Sequence, residues 1–198
     1  MMGCEVNKRR KYMAIVSLIF LIITFILIII YMQDRIKIGR PMDSYKNVDV
    51  CYNGFFYTKS YGRHYSDDGY YYGYRWQCVE FVKRFYYEAK GHKMPDLYGN
   101  AIDYFSYDTE QGEMNKQRGL LQYYNGGNVA PKEDDLIVFT DTKYGHVAII
   151  TKVTENNIEV IQQNVKGKPR QSYDLVNKDG NFYVGTDREP AGWLRLKY

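Results

Sequence analysis

Twenty consecutive residues without a charge, 13–32, read MAIVSLIFLIITFILIIIYM. At ~1.5 Å of rise per residue such a helix is ~30 Å long, the thickness of a bilayer's hydrocarbon core. The run is apolar all round, whereas a core helix of a water-soluble domain keeps a polar face. A cleaved signal peptide would have a shorter apolar stretch followed by a small-x-small site. Here Tyr31, Met32, Gln33 and Asp34 follow. The sequence therefore predicts a basic tail over 1–12, an uncleaved transmembrane signal anchor over 13–32, a linker over 33–38 and one domain over 39–198. Four cations precede the anchor (Lys8, Arg9, Arg10, Lys11) and four follow it (Arg35, Lys37, Arg40, Lys46), so the positive-inside count is nearly tied. The short, clustered tail favours a cytoplasmic N-terminus. The expected topology is a single-pass membrane protein with its domain on the extracytoplasmic side. Gly3-Cys4 carries no myristoylation signal, because the Ser or Thr that it needs is replaced by Asn7 or Lys8.

Composition narrows what the domain can be. Of the net charge of +4, the first 32 residues carry +3; the remainder has 23 basic and 22 acidic residues. A domain so nearly neutral lacks the basic field of a nucleic-acid binder, and no nucleic-acid partner is expected. Hydrophobic residues make up 45% of the 198, enough for one packed core. Three cysteines, Cys4, Cys51 and Cys78, are too few for a disulfide scaffold, and Cys51 reads as a small core residue. No His/Cys cluster has metal-ligand spacing, so neither a metal nor a cofactor is expected. Tyrosine is the outlier, with 22 copies.

The coarse pattern is a helix followed by strands. Residues 78–90 place Val79, Val82, Phe85, Tyr86 and Ala89 at helical spacing, with Gly91 as the residue beyond the end. A weaker helix is expected near 100–107. Residues 136–139 read as a buried strand, 146–153 as a β-branched strand, 154–157 as a turn and 158–165 as the returning strand. Residues 182–184 and 193–196 are candidate final strands. This order predicts an α+β fold, a helix packed on an antiparallel sheet.

Within that frame Cys78 stands at a helix start, where the helix dipole and unpaired N–H groups lower a thiol's pKa and can receive an oxyanion. Of the three histidines, His64 lies in an expected loop among Tyr65, Ser66, Asp67 and Asp68. His92 follows the helix as a solvated residue. His146 opens a buried strand, so its ring is held with one edge available. Gln162 and Asn164, two apart on the returning strand, share one face and come back alongside His146. An amide oxygen there would fix the imidazole tautomer. A cysteine at a helix start, a histidine opening a strand and an amide on the next strand form a papain-like layout.

The segments Trp76-Gln77-Cys78-Val79-Glu80-Phe81-Val82, Gly145-His146-Val147-Ala148-Ile149-Ile150 and Gln163-Asn164-Val165 resemble the cysteine, histidine-dependent amidohydrolase/peptidase (CHAP) family. Within it they are most like the amidase domains of glutathionylspermidine synthetase/amidase and trypanothione synthetase-amidase. Pro131 to Phe139 and Gly192-Trp193 agree with the family's strand before the histidine and its terminal strand. The resemblance covers about 39–198. It implies Cys78 as nucleophile, His146 as general base and Gln77 as an oxyanion-hole residue. The family's Glu and Asn on the strand after the histidine fall on Gln162 and Asn164. The Glu-to-Gln change is the main departure, because an amide orients an imidazolium without stabilising its charge. Thiol chemistry tolerates this if a resting thiolate already pairs with the imidazolium. Glu159 lies on the opposite face and is no substitute.

The resemblance implies a membrane-anchored thiol amidohydrolase or peptidase. Its expected substrate is peptidoglycan or a small amide of the glutathionylspermidine kind, whose cationic end Asp67 and Asp68 could meet. The alternative is a catalytically weak or silent CHAP-like module that binds cell-wall or peptide ligands through Tyr70-Tyr71-Tyr72-Gly73-Tyr74.

Overall fold

The computed structural model describes the whole chain except Met1, Tyr57, Thr186, Asp187 and Tyr198. The side chains of residues 1–8 are also outside the described residues, so what the sequence predicts for Lys8 and Cys4 falls there. The chain divides into two units, 1–38 and 39–198.

The first unit is one helix, α1 (Met2–Lys37). Residues 33–37, expected as a linker, continue it, because no Gly or Pro interrupts the chain before Gly39 (φ 80°) and Pro41. None of the apolar window of α1 is buried. Its length and composition suit a membrane span, and equally a signal sequence near an N-terminus.

The second unit is α+β. The hairpin β1 (Pro41–Tyr45) and β2 (Val48–Cys51) comes first, then β3 (Arg63–Tyr65) and β4 (Tyr71–Tyr74), then α2 (Cys78–Lys90). A 3-10 turn, Ala101–Tyr104, is what forms within the weak helix expected over 100–107. Eight strands follow: β5 (Met114–Asn115), β6 (Leu120–Tyr124), β7 (Leu136–Phe139), β8 (His146–Val153), β9 (Asn157–Ile161), β10 (Arg170–Lys178), β11 (Asn181–Val184) and β12 (Gly192–Arg195). They make one antiparallel sheet in the order β11-β10-β9-β8-β7-β12-β6-β5.

Alternation along the strands divides the core into two layers. Leu136, Val138, Val147, Ile149, Ile161 and Leu194 join Phe81, Val82, Phe85 and Tyr86 of α2 on one face. Ile137, Phe139, Ala148, Ile150, Val160 and Trp193 pack with Tyr173 and Leu175 on the other. The buried stripe of α2 and its Gly91 end (φ 64°, its N–H donating to Tyr87 O) account for the bounds of that helix. Half of the expected return strand forms: β9 ends at Ile161, and residues 162–165 leave the ladder.

Candidate active site

The chain reaches α2 through a strained corner. Trp76, directly before Gln77 and Cys78, has φ 73°, a left-handed conformation that an aromatic residue rarely adopts. The Gln77 N–H closes the turn on Tyr74 O at 3.0 Å. The Trp76 indole covers Gly39, where a Cβ would lie 3.0 Å from the ring. The surrounding contacts hold a conformation that costs on the order of 1–3 kcal/mol.

Cys78 is the first residue of α2 and half-buried. Gln77 makes no side-chain cap, so the N–H groups of this helix end are left to other acceptors. Burial pushes the Cys78 thiol pKa up; the N–H groups of Val147, Val79 and Cys78 itself, with the charge of Arg188, act against that. α2 packs on β8, and the thiol meets that strand at its main chain, at the amide next to His146.

His146 is buried at the start of β8, opposite Phe139 on β7. Its Nε2 donates to Gln162 Oε1 at 2.9 Å. The Gln162 amide cannot be turned round, because its Nε2 donates to Lys168 O (3.3 Å) and Gln171 Oε1 (3.2 Å). The proton therefore sits on His146 Nε2, and Nδ1, which has no hydrogen bond among the described residues, carries the lone pair. Burial takes the His146 pKa down to about 4, with the Gln162 hydrogen bond opposing it. Both shifts favour the neutral thiol and the neutral imidazole.

Gly145 sets the position of the ring. It has φ 68°, and a Cβ there would lie 2.5 Å from the Ile102 nitrogen, so the loop before β8 runs against the 3-10 turn. The Ile102 N–H donates to Tyr144 O in that contact.

The two amides of the return strand separate. Gln162 meets His146; Asn164 does not. Asn164 Nδ2 donates to Gln77 Oε1 (2.6 Å), and its own Oδ1 accepts from Asn53 (2.6 Å). Gln77 Nε2 donates to Lys59 O at 2.9 Å. Asn164 thus orients the residue before Cys78 and not the imidazole. Glu159 is away from His146, bonded to Thr151 and Arg170.

Between these two lies Gln163, fully buried, to which the sequence reading assigned no role. Its Oε1 accepts from Cys51 N (2.7 Å), and its Nε2 donates to Gln77 O (3.0 Å) and Glu80 Oε2 (2.6 Å). Glu80, fully buried, also bonds His64 Nδ1 (2.8 Å) and Arg84 Nε (2.6 Å). Burial alone would raise the Glu80 pKa; the His64, Arg84 and Gln163 contacts overcome it and hold the carboxyl low. Three successive amides ending an apolar strand are the sequence signal for this cluster, since buried amides need partners.

Other expectations resolve as packing. Tyr70, Tyr71 and Tyr72 are buried, with Tyr70 stacked on Tyr87; Tyr74 alone of the run is exposed. Asp68 is bonded to Lys93 and Ser66, and Asp67 is exposed. His64 lies on β3, not in a loop, and His92, read as solvated, is partly buried with Nε2 on Arg118 O. Cys51 is a core residue whose thiol is pushed up to about 11 by burial. Among the described residues no cluster of His, Cys, Asp and Glu could hold a metal ion.

The chain is similar in sequence to known proteins. The chain is 38% identical over 149 residues, 67% of its length, to the bifunctional glutathionylspermidine synthetase/amidase of Escherichia coli, and equally to that of Shigella flexneri. It is 28% identical over 142 residues, 65% of its length, to the trypanothione synthetase of Crithidia fasciculata. It spans less than a quarter of each relative, 23% of the two bacterial proteins and 22% of the trypanothione synthetase. The family model for the CHAP domain matches residues 69–164, which run from the strand before Cys78 to the amide that holds Gln77, and the chain therefore contains a CHAP domain.

Proposed function

We propose that residues 39–198 are a thiol amidohydrolase or peptidase. Cys78 is the nucleophile, His146 the general base and Gln162 the residue that orients the base. The observation that carries this reading is the Gln162–His146 hydrogen bond, which leaves Nδ1 as the proton acceptor on the strand whose next amide meets the sulfur. In the first step Nδ1 takes the thiol proton as sulfur bonds to the amide carbon. The oxyanion is received by the Cys78 N–H and by a hydrogen of Gln77 Nε2, which Asn164 keeps in place through Oε1. The C–N bond breaks, the amine leaves with the proton from Nδ1, and water hydrolyses the thioester.

The two bacterial relatives are named as amidases, which supports an amide of the glutathionylspermidine kind; a domain carried outside a membrane by α1 would meet peptidoglycan amides instead. The test is incubation of the full chain with each substrate and mass analysis of the products. Release of the amine by the wild type, and its loss in Cys78→Ala, supports the reading. Continued turnover by Cys78→Ala overturns it. The silent binding module has one observation in its favour, the raised thiol pKa. It requires that neither substrate be cleaved and that Cys78 alkylate no faster than a free thiol near neutral pH.

A further inference from the structure

Arg188 lies between β11 and β12, far in sequence from Cys78 and His146. Its Nε and Nη2 donate to the two carboxylate oxygens of Asp141, at 2.8 and 2.5 Å. Asp141 stands on the loop between β7 and β8, five residues before His146. The guanidinium carbon sits 4.4 Å above the ring of Phe139, and that ring is 6.3 Å from the His146 imidazole. Arg188 is thus clamped one ring away from the general base, joining the two loops on that side. It is not sealed in: its side chain is 29% exposed and that of Asp141 44%. A guanidinium has five N–H donors in a plane. Asp141 takes two, and Nη1 has no partner among the described residues.

We propose that Arg188 is the specificity residue of this site: its outer N–H edge binds a free carboxylate that the substrate carries close to the scissile amide. The inference rests on the Cys78–His146 reading and names the substrate class, an amide with an acidic neighbour. Two features fit it. A planar fork, held rigid by a bidentate carboxylate and an aromatic face, loses little freedom when a second carboxylate docks on its other edge. The same charge also reaches the reacting groups, since it lowers the pKa of both Cys78 and His146. The bound carboxylate touches Arg188 alone; Asp141 is a positioning residue that aims the fork.

The test uses a pair of thiol reagents that differ only as carboxylate and carboxamide, iodoacetate and iodoacetamide, on the full chain, with modification of Cys78 followed by peptide mass mapping. A charge-assisted contact of this kind is worth roughly tenfold or more in rate. The ratio of iodoacetate to iodoacetamide rates at Cys78 is expected to fall about tenfold in Arg188→Gln and by a smaller factor in Arg188→Lys, which keeps the charge but not the planar fork. Arg188→Lys also covers the case in which Arg188→Gln fails to fold. Equal slowing with both reagents, or an unchanged ratio, in Arg188→Gln (or in Arg188→Lys where Arg188→Gln does not fold) means that Arg188 only braces the loops, and it overturns the proposal. Failure of both reagents to label Cys78 in the wild type overturns the underlying catalytic reading instead, so the two failures are distinct.

Discussion

Gln162 accepts the only hydrogen bond that His146 makes through its ring among the described residues, and two carbonyl oxygens, of Lys168 and of the Gln171 amide, fix which end of Gln162 does the accepting. A neutral amide thereby selects the tautomer. Gln162→Ala removes that selection and leaves a buried imidazole without a partner. kcat is expected to fall by about 10²-fold, the scale of a mispositioned general base, with little change in KM. Steady-state kinetics on the substrate that the incubation test identifies would show it; a change in KM alone would contradict the role.

Gln162→Glu puts a carboxylate beside the same ring. It favours the imidazolium, so the His146 pKa should rise from about 4. The acid limb of the kcat/KM profile is expected near pH 4 in the wild type and at least about one unit higher in Gln162→Glu. Coincident profiles would remove His146 from the role of base.

The same burial has a consequence for stability. The His146 pKa is lower folded than its ordinary 6.5, so below pH 6.5 the unfolded chain binds a proton that the folded chain does not. Stability is then lost as the pH falls from 6.5 towards 4, by about 3 kcal/mol in all. The midpoint of urea unfolding should drop over this window in the wild type and drop less in His146→Phe.

Gly145→Ala adds a Cβ at φ 68°, 2.5 Å from the Ile102 nitrogen. Both the left-handed backbone and the clash oppose it, and a loss of about 1–3 kcal/mol in stability is expected. Differential scanning calorimetry measures this, and an unchanged Tm would show that the loop can move aside.

Gln163→Leu removes the side-chain partner of Cys51 N and Glu80 Oε2 and one of the hydrogen bonds to Gln77 O, which keeps the Phe81 N–H. An unsatisfied buried group costs about 1–3 kcal/mol, more when charged. Unfolding in urea should show a loss at the upper end of this range or beyond it.

The apolar run at 13–32, the helix that begins at Cys78, and the strands at Leu136 and His146 were legible because each follows a local rule: length without charge, 3.6-residue spacing, or β-branched runs of two buried faces. β8 begins at His146 and α2 at Cys78, as expected, and both sit where short-range patterns decide. β6, β10 and the β3–β4 pair were not legible, since half-exposed strands such as β10, with Gln171, Ser172 and Asp174 facing out, have no sequence mark beyond their pairing. In the site, sequence determined which side chains are available and in which order. Tertiary structure decided their partners: Gln162 but not Asn164 for His146, Gln163 for Glu80, and Arg188 beside Phe139. It also decided the burial of the two reacting groups, which pushes the Cys78 pKa up and the His146 pKa down. The helix end at Cys78 is a local property that favours a thiolate, whereas the burial that opposes it depends on every element packed around the sulfur and the ring.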